Sequence, residues 1–441
     1  MQKLVAWKTQ KGRKPLILRG VRQTGKTYLL TQFGLAHFNA VHIVNFEKQA
    51  NFKAIFEKDL DPRRILDDLR FELQTQINID KDLVVFDEIQ ACPNALTSLK
   101  YFCEDLPGLA LCSAGSLLGL HLNETSYPVG KVDMLHLHPM TFSEFLDGVG
   151  DTLAAELIQQ YQMGDAISES KHKRLWQRLK HYFITGGLPE VVNLFSQQQD
   201  NLYDATVLVR TKQEELIKAY YADIAKHSGK VNAMHIDRTW RAVPKQLAAN
   251  YDVSTSRFRF KDIIPNVNRY RQLVNVVDWL EAAELVFRLP IVGAFEQPIN
   301  AYTKDNLFKL LIFDVGILGA MNLIDPALIL KEDYGTYKGY FAENFVGQQL
   351  LALTSHPTFN WQEDRSEIEF LLPYHGQVIP IEVKSGSVTR AKSLKKYIDK
   401  YEPKRSFILS SNQPYLNSNK KVAHLPLYLV ESILRMVDGD V

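Results

Sequence analysis

The sequence predicts an α/β fold whose first domain is a parallel sheet with helices on both faces. Short apolar runs alternate with helical stretches over residues 1–146, and this alternation is typical of a doubly wound sheet. A glycine-rich loop also stands between the first apolar run and the helical stretch that follows it. The expected strands cover 16–18, 41–46, 83–86, 109–112 and 132–137, with helices such as 65–76 and 96–105 between them.

The glycine-rich loop fits the pattern G-x-x-x-x-G-K-S/T at every fixed position. It consists of Gly20, Val21, Arg22, Gln23, Thr24, Gly25, Lys26 and Thr27. Glycines let backbone N–H groups turn toward a phosphate, and the start of the next helix adds a partial positive charge. We expect Lys26 to reach the β- and γ-phosphates of a nucleotide and Thr27 to hold Mg²⁺. The strand–loop–helix context therefore predicts a nucleotide site.

A second apolar run supplies the carboxylates that a nucleotide site needs. Asp87 and Glu88 follow four apolar residues that are typical of a buried parallel strand. They stand at the carboxyl end of that strand, where open α/β sheets bind their ligands. We expect Asp87 to coordinate Mg²⁺ beside Thr27, and Glu88 to polarise the attacking water. The two motifs together predict hydrolysis of ATP or GTP.

The apolar run over 109–112 ends in small polar residues. Ser113 or Ser116 would then face the γ-phosphate, which is the sensor position of such ATPases. A helix cap at Ser116 is an equally good interpretation of the same residues.

Composition limits the remaining possibilities. A chain of 441 residues predicts two to four domains, and a net charge of +2 favours neither nucleic acid nor a membrane as partner. Three cysteines without metal-like spacing suggest a reducing cytoplasm, and no apolar signal segment is recognisable at the N-terminus. The longest uncharged stretch, 106–123, contains a proline and several glycines, and we interpret it as a buried strand and loop.

The middle of the sequence is mostly helical. Helical spacing covers 151–195, with a break at 185–189, and continues in a long helix over 201–226. Later helical stretches precede an expected strand over 285–292, and together they suggest a winged-helix-like module. We therefore expect an ATPase core over 1–147, a helical lid with the winged-helix-like region over 148–300, and a C-terminal α/β domain over 301–441.

The C-terminal domain carries a second group of charged residues. Glu369 and Glu382 lie on adjacent strand-like runs, and Lys384 shares a strand face with Glu382 because strand side chains repeat every two residues. Two carboxylates and a lysine suit metal-dependent phosphodiester cleavage, with Glu343 as a third ligand. Spacing alone favours a solvated strand face instead. The basic run over 384–405 has two interpretations. It could contact the phosphate backbone of a nucleic acid, or it could be an ordinary exposed helix face.

The chain resembles the bacterial and archaeal AAA-type P-loop ATPases that carry a C-terminal domain of unknown function. Six stretches carry the resemblance: 20–27, 86–90, 130–145, 186–190, 309–318 and 379–386. The resemblance implies an AAA-like ATPase core that uses ATP, a helical middle, and a C-terminal domain similar to PD-(D/E)xK nucleases. Lys131 stands where the family usually has an arginine; if that arginine senses the γ-phosphate, lysine keeps the charge but loses the planar fork. Glu369 stands where the nuclease pattern usually has aspartate.

Three functions remain open at this point. The first is Mg²⁺-dependent binding and hydrolysis of ATP that drives a conformational change, with DNA or another nucleic acid as a candidate partner. The second is an ATP-regulated nuclease that uses Lys384 and its neighbouring carboxylates. The third is a nucleotide switch that recruits a protein partner without hydrolysis. A homo-oligomer is compatible with each of them, and a membrane partner is not expected.

Overall fold

A computed structural model gives the structure of this protein. It describes residues 1–116, 118–121, 128–228, 230–249, 257–265, 267, 269–294, 298–331, 338–354, 356–384, 386, 391–417 and 421–438. The chain forms two compact units: unit 1 is Met1–His138 with Ala282–Glu284, and unit 2 is Pro139–Glu281 with Leu285–Val441. None of the helices in these ranges is apolar over enough of its length to cross a membrane.

Unit 1 contains the predicted parallel sheet. Its strands, among the described residues, are β1 Leu16–Arg19, β2 Val41–Asn45, β3 Leu83–Asp87, β4 Ala110–Gly115 and β5 Asp133–His136. They lie in the order β2-β3-β4-β1-β5, and every neighbouring pair is parallel. Because the strands are parallel, the carboxyl ends of β1, β2 and β3 lie on one edge of the sheet.

Helices cover both faces of this sheet. They are α1 Gln2–Thr9, α2 Lys26–His37, α3 Asn51–Ile55, α4 Pro62–Leu73, α5 Pro93–Asp105 and α6 Leu118–His121. Alternate residues of β3 face opposite sides of the sheet. Phe86 packs against Phe46, which follows β2, and Phe102 of α5 on one face, and Val85 packs with α2 on the other. The prediction of a parallel α/β sheet with flanking helices is confirmed.

Unit 2 begins with helices and continues into a mixed sheet. The helices are α7 Phe142–Gly148, α8 Thr152–Gln160, α9 Glu169–Thr185, α10 Pro189–Gln197, α11 Leu202–His227, α12 Lys230–Ala249, α13 Tyr270–Ala282, α14 Val315–Met321, α15 Pro326–Leu330, α16 Lys338–Leu353, α17 Lys392–Tyr401 and α18 Ile433–Asp438. The strands are β6 Val286–Val292, β7 Thr303–Ile312, β8 Phe359–Glu363, β9 Ser366–Tyr374, β10 Gln377–Val383, β11 Ser406–Ser410, β12 Tyr415–Leu416 and β13 Val422–Pro426. Short 3₁₀ turns cover Ile89–Ala91 in unit 1 and Ile299–Tyr302 and Leu427–Ser432 in unit 2.

The strand expected over 285–292 belongs to the C-terminal sheet. It is β6, which pairs antiparallel with β7 and parallel with β8. The described strands of unit 2 form a single eight-stranded sheet in the order β12-β13-β11-β10-β9-β8-β6-β7. We therefore assign β6 to this sheet rather than to a separate winged-helix-like module.

The stretches 186–190 and 309–318 meet in the core of unit 2. Asp314 is fully buried and accepts hydrogen bonds from the backbone N–H groups of Gly187 and Ile317. Gly186 has φ 69°, and a Cβ at this position would lie 2.0 Å from a carboxylate oxygen of Asp314. Burial raises the pKa of Asp314 to about 6, although these N–H groups favour the ionised form. These two stretches thus have a packing role.

Candidate functional site

The glycine-rich loop connects the end of β1 to the start of α2. Gly25 caps α2 with φ 83°, and as a glycine it offers no side chain to accept a hydrogen bond from the first turn. Gln23 also has a positive φ, of 68°. A Cβ on Gly20 would lie 2.3 Å from the carbonyl oxygen of Leu137, so only glycine fits there. The loop therefore presents a free helix N-terminus, which is an anion-binding arrangement.

Lys26 is folded back onto this loop. Its Nζ donates hydrogen bonds of 2.9 Å to the carbonyl oxygens of Gly20 and Val21, and the side chain is buried. Burial lowers the pKa of Lys26 to about 8, although Glu88 and Glu284 favour the charged form. The Thr24 hydroxyl donates to the same Val21 carbonyl at 2.9 Å and fixes the turn. Lys26 is thus a buried ammonium whose positive charge is poorly compensated.

Thr27 and Asp87 meet at the carboxyl edge of the sheet. The Thr27 hydroxyl donates to Oδ1 of Asp87 at 2.9 Å, and the Asn45 amide donates to Oδ2 at 2.7 Å. Burial raises the pKa of Asp87, and these two hydrogen bonds oppose the shift. A hydroxyl and a carboxylate in contact form a donor set that suits Mg²⁺.

Glu88 follows Asp87 with φ 52°, which is in the left-handed region. The Gln90 amide donates to Oε2 of Glu88 at 2.6 Å. A non-glycine residue in this conformation stores strain of order 1–3 kcal/mol, and such strain clusters at functional sites. The backbone and Gln90 together fix the direction of the Glu88 carboxylate.

The two serines after β4 have different surroundings. Ser113 is fully buried and its hydroxyl donates to the carbonyl oxygen of Leu16 at 3.2 Å, inside the sheet. Ser116 accepts a 3.2 Å hydrogen bond from Nε of Arg22, which is part of the glycine-rich loop. Arg22 also lies 4.0 Å from a carboxylate oxygen of Glu47. The structure therefore brings Ser116 to the loop and leaves Ser113 within the core.

Lys131 lies at the other edge of the sheet. It precedes the amino end of β5, which pairs in parallel with the amino end of β1, whereas the glycine-rich loop follows the carboxyl end. Its Nζ contacts the Glu104 carboxylate at 2.9 Å, and Glu104 raises the pKa of Lys131. This placement does not suit a residue that senses the γ-phosphate, because Lys131 is separated from the loop by the length of the strand.

Glu284 reaches the same part of unit 1 from a distant point in the sequence. Its carboxylate accepts a 2.8 Å hydrogen bond from Nε of Arg19, the last residue of β1. It also favours the charged form of Lys26. No local pattern in the sequence pointed to Glu284, because 265 positions separate it from Arg19. Asn45 and Gln90 were also missed, although both stand beside a strand end that the sequence had identified.

In unit 2, the predicted carboxylates lie close enough to influence one another, but they form two ion-pair groups with different lysines. Lys384 Nζ contacts Glu382 at 2.5 Å, and Glu369 accepts a 2.8 Å hydrogen bond from the N–H of Val383. Burial raises the pKa of Glu369 well above its usual range, and the neighbouring Glu382 adds to the shift. Burial also raises the pKa of Glu382, with Lys384 opposing.

Glu343 belongs to the other group, which is centred on Lys309 of β7. Lys309 forms ion pairs with Glu343 of α16 and, at 2.5 Å, with Glu367 of β9. Asn360 of β8 also donates to Glu367, at 2.9 Å. Burial disfavours the Lys309 ammonium, but the two carboxylates outweigh this effect and raise its pKa. Residue spacing did not point to Lys309 or Glu367, because their contacts join four separate elements.

These carboxylates do not fit a divalent metal ion. Within the described ranges, no group of three or more histidine, cysteine, aspartate or glutamate side chains is arranged to hold one. The predicted ligands Glu343, Glu369 and Glu382 are divided, because a lysine already occupies the position beside Glu343. Glu382 keeps one buried oxygen without a hydrogen-bond partner, and this single oxygen is too few for a metal site.

Three family models match successive parts of the chain. Residues 12–146 match the model described as "AAA domain". Residues 177–328 match a domain of unknown function (DUF8612), and residues 338–428 match another (DUF4143). No curated protein matches the chain. Together with the sheet order, the first match shows that residues 12–146 form an AAA-type P-loop domain.

Several solved structures match the chain at low sequence identity. A Walker-type ATPase of Pyrococcus abyssi is 16% identical, with 73% of this chain and 94% of that chain covered and a TM-score of 0.45. The RuvB Holliday junction branch migration motor of Thermotoga maritima is 15% identical, with 65% and 86% covered and a TM-score of 0.31. Drosophila ORC bound to DNA is 14% identical, with 73% and 93% covered and a TM-score of 0.26. Scores at this level support no conclusion about function.

Proposed function

We propose that this protein binds ATP with Mg²⁺, hydrolyses it, and uses the hydrolysis to change conformation, with nucleic acid as the candidate target. One observation carries the proposal: Lys26 is a buried ammonium at the free N-terminus of α2, and its hydrogen bonds go to carbonyl oxygens. Such a cation is poorly compensated. A polyphosphate would supply the negative charge that is lacking.

The surrounding residues have complementary roles in this proposal. Thr27 and Asp87 would hold Mg²⁺, which neutralises charge on the phosphates. Lys26 and the backbone N–H groups from Gly20 to Gly25 would bind phosphate oxygens. Glu88 would orient the attacking water and accept its proton, in a direction fixed by Gln90. None of these roles requires a residue from unit 2.

Arg22 is a candidate for stabilising the γ-phosphate. It lies in the glycine-rich loop, donates to Ser116 and lowers the pKa of Lys26 by repulsion. Two cations that repel each other in the absence of ligand favour the binding of a polyanion between them. The sequence offered Ser113 or Ser116, together with Lys131, for contact with the γ-phosphate; in this proposal Ser116 and Arg22 take that role.

The test is phosphate release from ATP with Mg²⁺ by the wild type and by Glu88→Gln, each with and without DNA. We expect turnover in the wild type, a loss of about 10²–10⁴-fold in the variant because the general base is removed, and faster turnover with DNA. Glu104→Gln is the matched control, since Glu104 lies at the opposite edge of the sheet and pairs with Lys131.

Each alternative gives a different result in this assay. Tight ATP binding without turnover in any condition would replace hydrolysis with a nucleotide switch that recruits a partner. Turnover that DNA does not change would remove nucleic acid from the proposal. We do not propose a metal-dependent nuclease, because the carboxylates of unit 2 lack the arrangement that a metal ion requires.

A further inference from the structure

We infer that Lys309 is the resident cation of the carboxylate cluster in unit 2, in the place of the divalent metal ion that a resemblance to PD-(D/E)xK nucleases implies. The carboxylate cluster consists of Glu343, Glu367, Glu369 and Glu382. This inference is independent of the proposed ATP hydrolysis, because every residue that it uses lies in unit 2.

The first support for the inference is the position of Lys309. The residue is 3% exposed, and its ammonium lies between carboxylates from α16 and β9, in contact with both. The Asn360 amide also donates a hydrogen bond to Glu367, so this carboxylate already contacts both an ammonium and an amide. A metal ion bound by Glu343 and Glu367 would have to occupy the space of the ammonium itself.

Each of the remaining carboxylates has a donor from the chain, although one buried oxygen of Glu382 has no hydrogen-bond partner. Lys384 contacts Glu382, and the N–H of Val383 donates to Glu369. The cluster contains four carboxylates and two lysines, so two negative charges would remain if every group were ionised.

Electrostatics explains why a metal ion would not simply displace the lysine. A divalent cation beside a buried ammonium is repelled strongly, since interactions in the interior are weakly screened. Moving Lys309 away would leave its charge in the core of the unit, where carboxylates compensate it now. The cluster is therefore closed to Mg²⁺ and Mn²⁺ while Lys309 is present.

Mn²⁺ binding to the full chain without nucleotide, measured from the free Mn²⁺ signal in electron paramagnetic resonance, tests the inference. We expect no Mn²⁺ site in the wild type that depends on Glu343. We expect Lys309→Met to gain such a site, with Mn²⁺ affinity about tenfold or more above the wild type, because a positive charge no longer opposes the metal. The same full-length background keeps the nucleotide site identical in all measurements.

The matched control is the double variant Lys309→Met with Glu343→Gln. It lacks the same lysine but also one ligand, so the gained Mn²⁺ affinity should disappear. Glu343→Gln in the wild-type background provides a second comparison that keeps Lys309. Circular dichroism establishes whether each variant is folded.

Two results would overturn the inference. One is a wild-type Mn²⁺ site that Glu343→Gln or Glu367→Gln removes, since a metal would then share the cluster with Lys309. The other is a folded Lys309→Met variant without any gain in Mn²⁺ affinity. If Lys309→Met does not fold, the wild-type measurement decides the question: a Glu343-dependent site overturns the inference, and its absence supports it.

Discussion

Lys26 of unit 1 and Lys309 of unit 2 are both buried lysines, but their surroundings are opposite. Lys26 donates to carbonyl oxygens, and burial lowers its pKa to about 8. Lys309 contacts two carboxylates, which raise its pKa. The shift at Lys26 corresponds to about 3 kcal/mol of unfavourable charge burial. At Lys309 the cost of burying the charged ammonium is offset by the carboxylates of Glu343 and Glu367.

The contrast shows how the same residue type serves binding in one unit and structure in the other. A buried cation without a carboxylate partner gains when an anionic ligand arrives. A buried cation with two carboxylate partners gains nothing from a ligand and stabilises its own surroundings. Five predictions test this contrast, beginning with the largest expected effect.

Removal of each lysine should have unequal effects on stability. Lys309→Met leaves two buried carboxylates unpaired and should lower the free energy of unfolding by about 3–5 kcal/mol. Lys26→Met removes a poorly compensated charge and should cost less than about 1 kcal/mol or stabilise slightly. Urea unfolding without nucleotide measures both, and hydrogen exchange of β7 and β9 locates the loss. Similar losses in the two variants would contradict the contrast.

Nucleotide binding should depend on Lys26. Lys26→Ala removes charge-assisted hydrogen bonds to phosphate, each worth about 1.5–3 kcal/mol, so ATP affinity should fall about 10–100-fold. Titration with a fluorescent ATP analogue measures the change. Unchanged affinity would mean that the glycine-rich loop does not bind phosphates.

Nucleotide binding should also change the protonation of Lys26. With a folded pKa of about 8, part of the Lys26 side chain is neutral above this pH, and phosphates would restore its charge. ATP binding should therefore take up a fraction of a proton near pH 8.5 and almost none near about pH 6.5. Calorimetry in buffers of different ionisation enthalpy measures this uptake. Proton uptake that persists in Lys26→Ala would assign it to another group.

The pKa of Lys26 also predicts the direction in which the stability of the nucleotide-free protein changes with pH. The unfolded chain, with a lysine pKa near 10.5, binds more protons than the folded chain between about pH 8 and pH 10.5. The Lys26 contribution to stability should therefore rise with pH across this window and be flat below it. Comparing the pH profiles of wild type and Lys26→Met isolates this contribution.

Lys131 should show the smallest effect. Lys131→Ala removes an exposed ion pair with Glu104, so stability should be nearly unchanged and ATP affinity should change by less than about twofold. The titration used for Lys26→Ala measures it. A large loss of ATP affinity would mean that Lys131 takes part in nucleotide binding, which its position at the opposite edge of the sheet does not predict.

Features fixed by local sequence could be predicted. The strand–loop–helix around Lys26 and the strand that ends at Asp87 follow from apolar runs and turn residues, and the parallel arrangement then brings Thr27 and Asp87 together. The roles of these residues with a nucleotide remain predictions. The identity of the serine that meets the loop could not be read from the sequence, because Ser113 and Ser116 both follow the same apolar run.

Features that depend on distant pairing could not be predicted. Lys309 meets Glu343 and Glu367 because β7, α16 and β9 pack together, and no spacing in the sequence encodes that packing. The grouping of Glu343 with Glu369 and Glu382 as metal ligands followed from residue type, whereas the structure pairs Glu343 with Lys309. Charge type alone therefore suggested a metal site where the structure has an internal ion pair.

The return of residues 282–284 to unit 1 has a consequence for any attempt to isolate that unit. A fragment that ended at His138 would lack Glu284, so Arg19 would lose the carboxylate that it contacts. It would also lack Ala282, whose carbonyl oxygen lies so close to Gly119 that an added Cβ would be 2.5 Å away. A fragment designed to represent unit 1 must therefore include residues 282–284. A fragment that simply ended at His138 would lack their contacts.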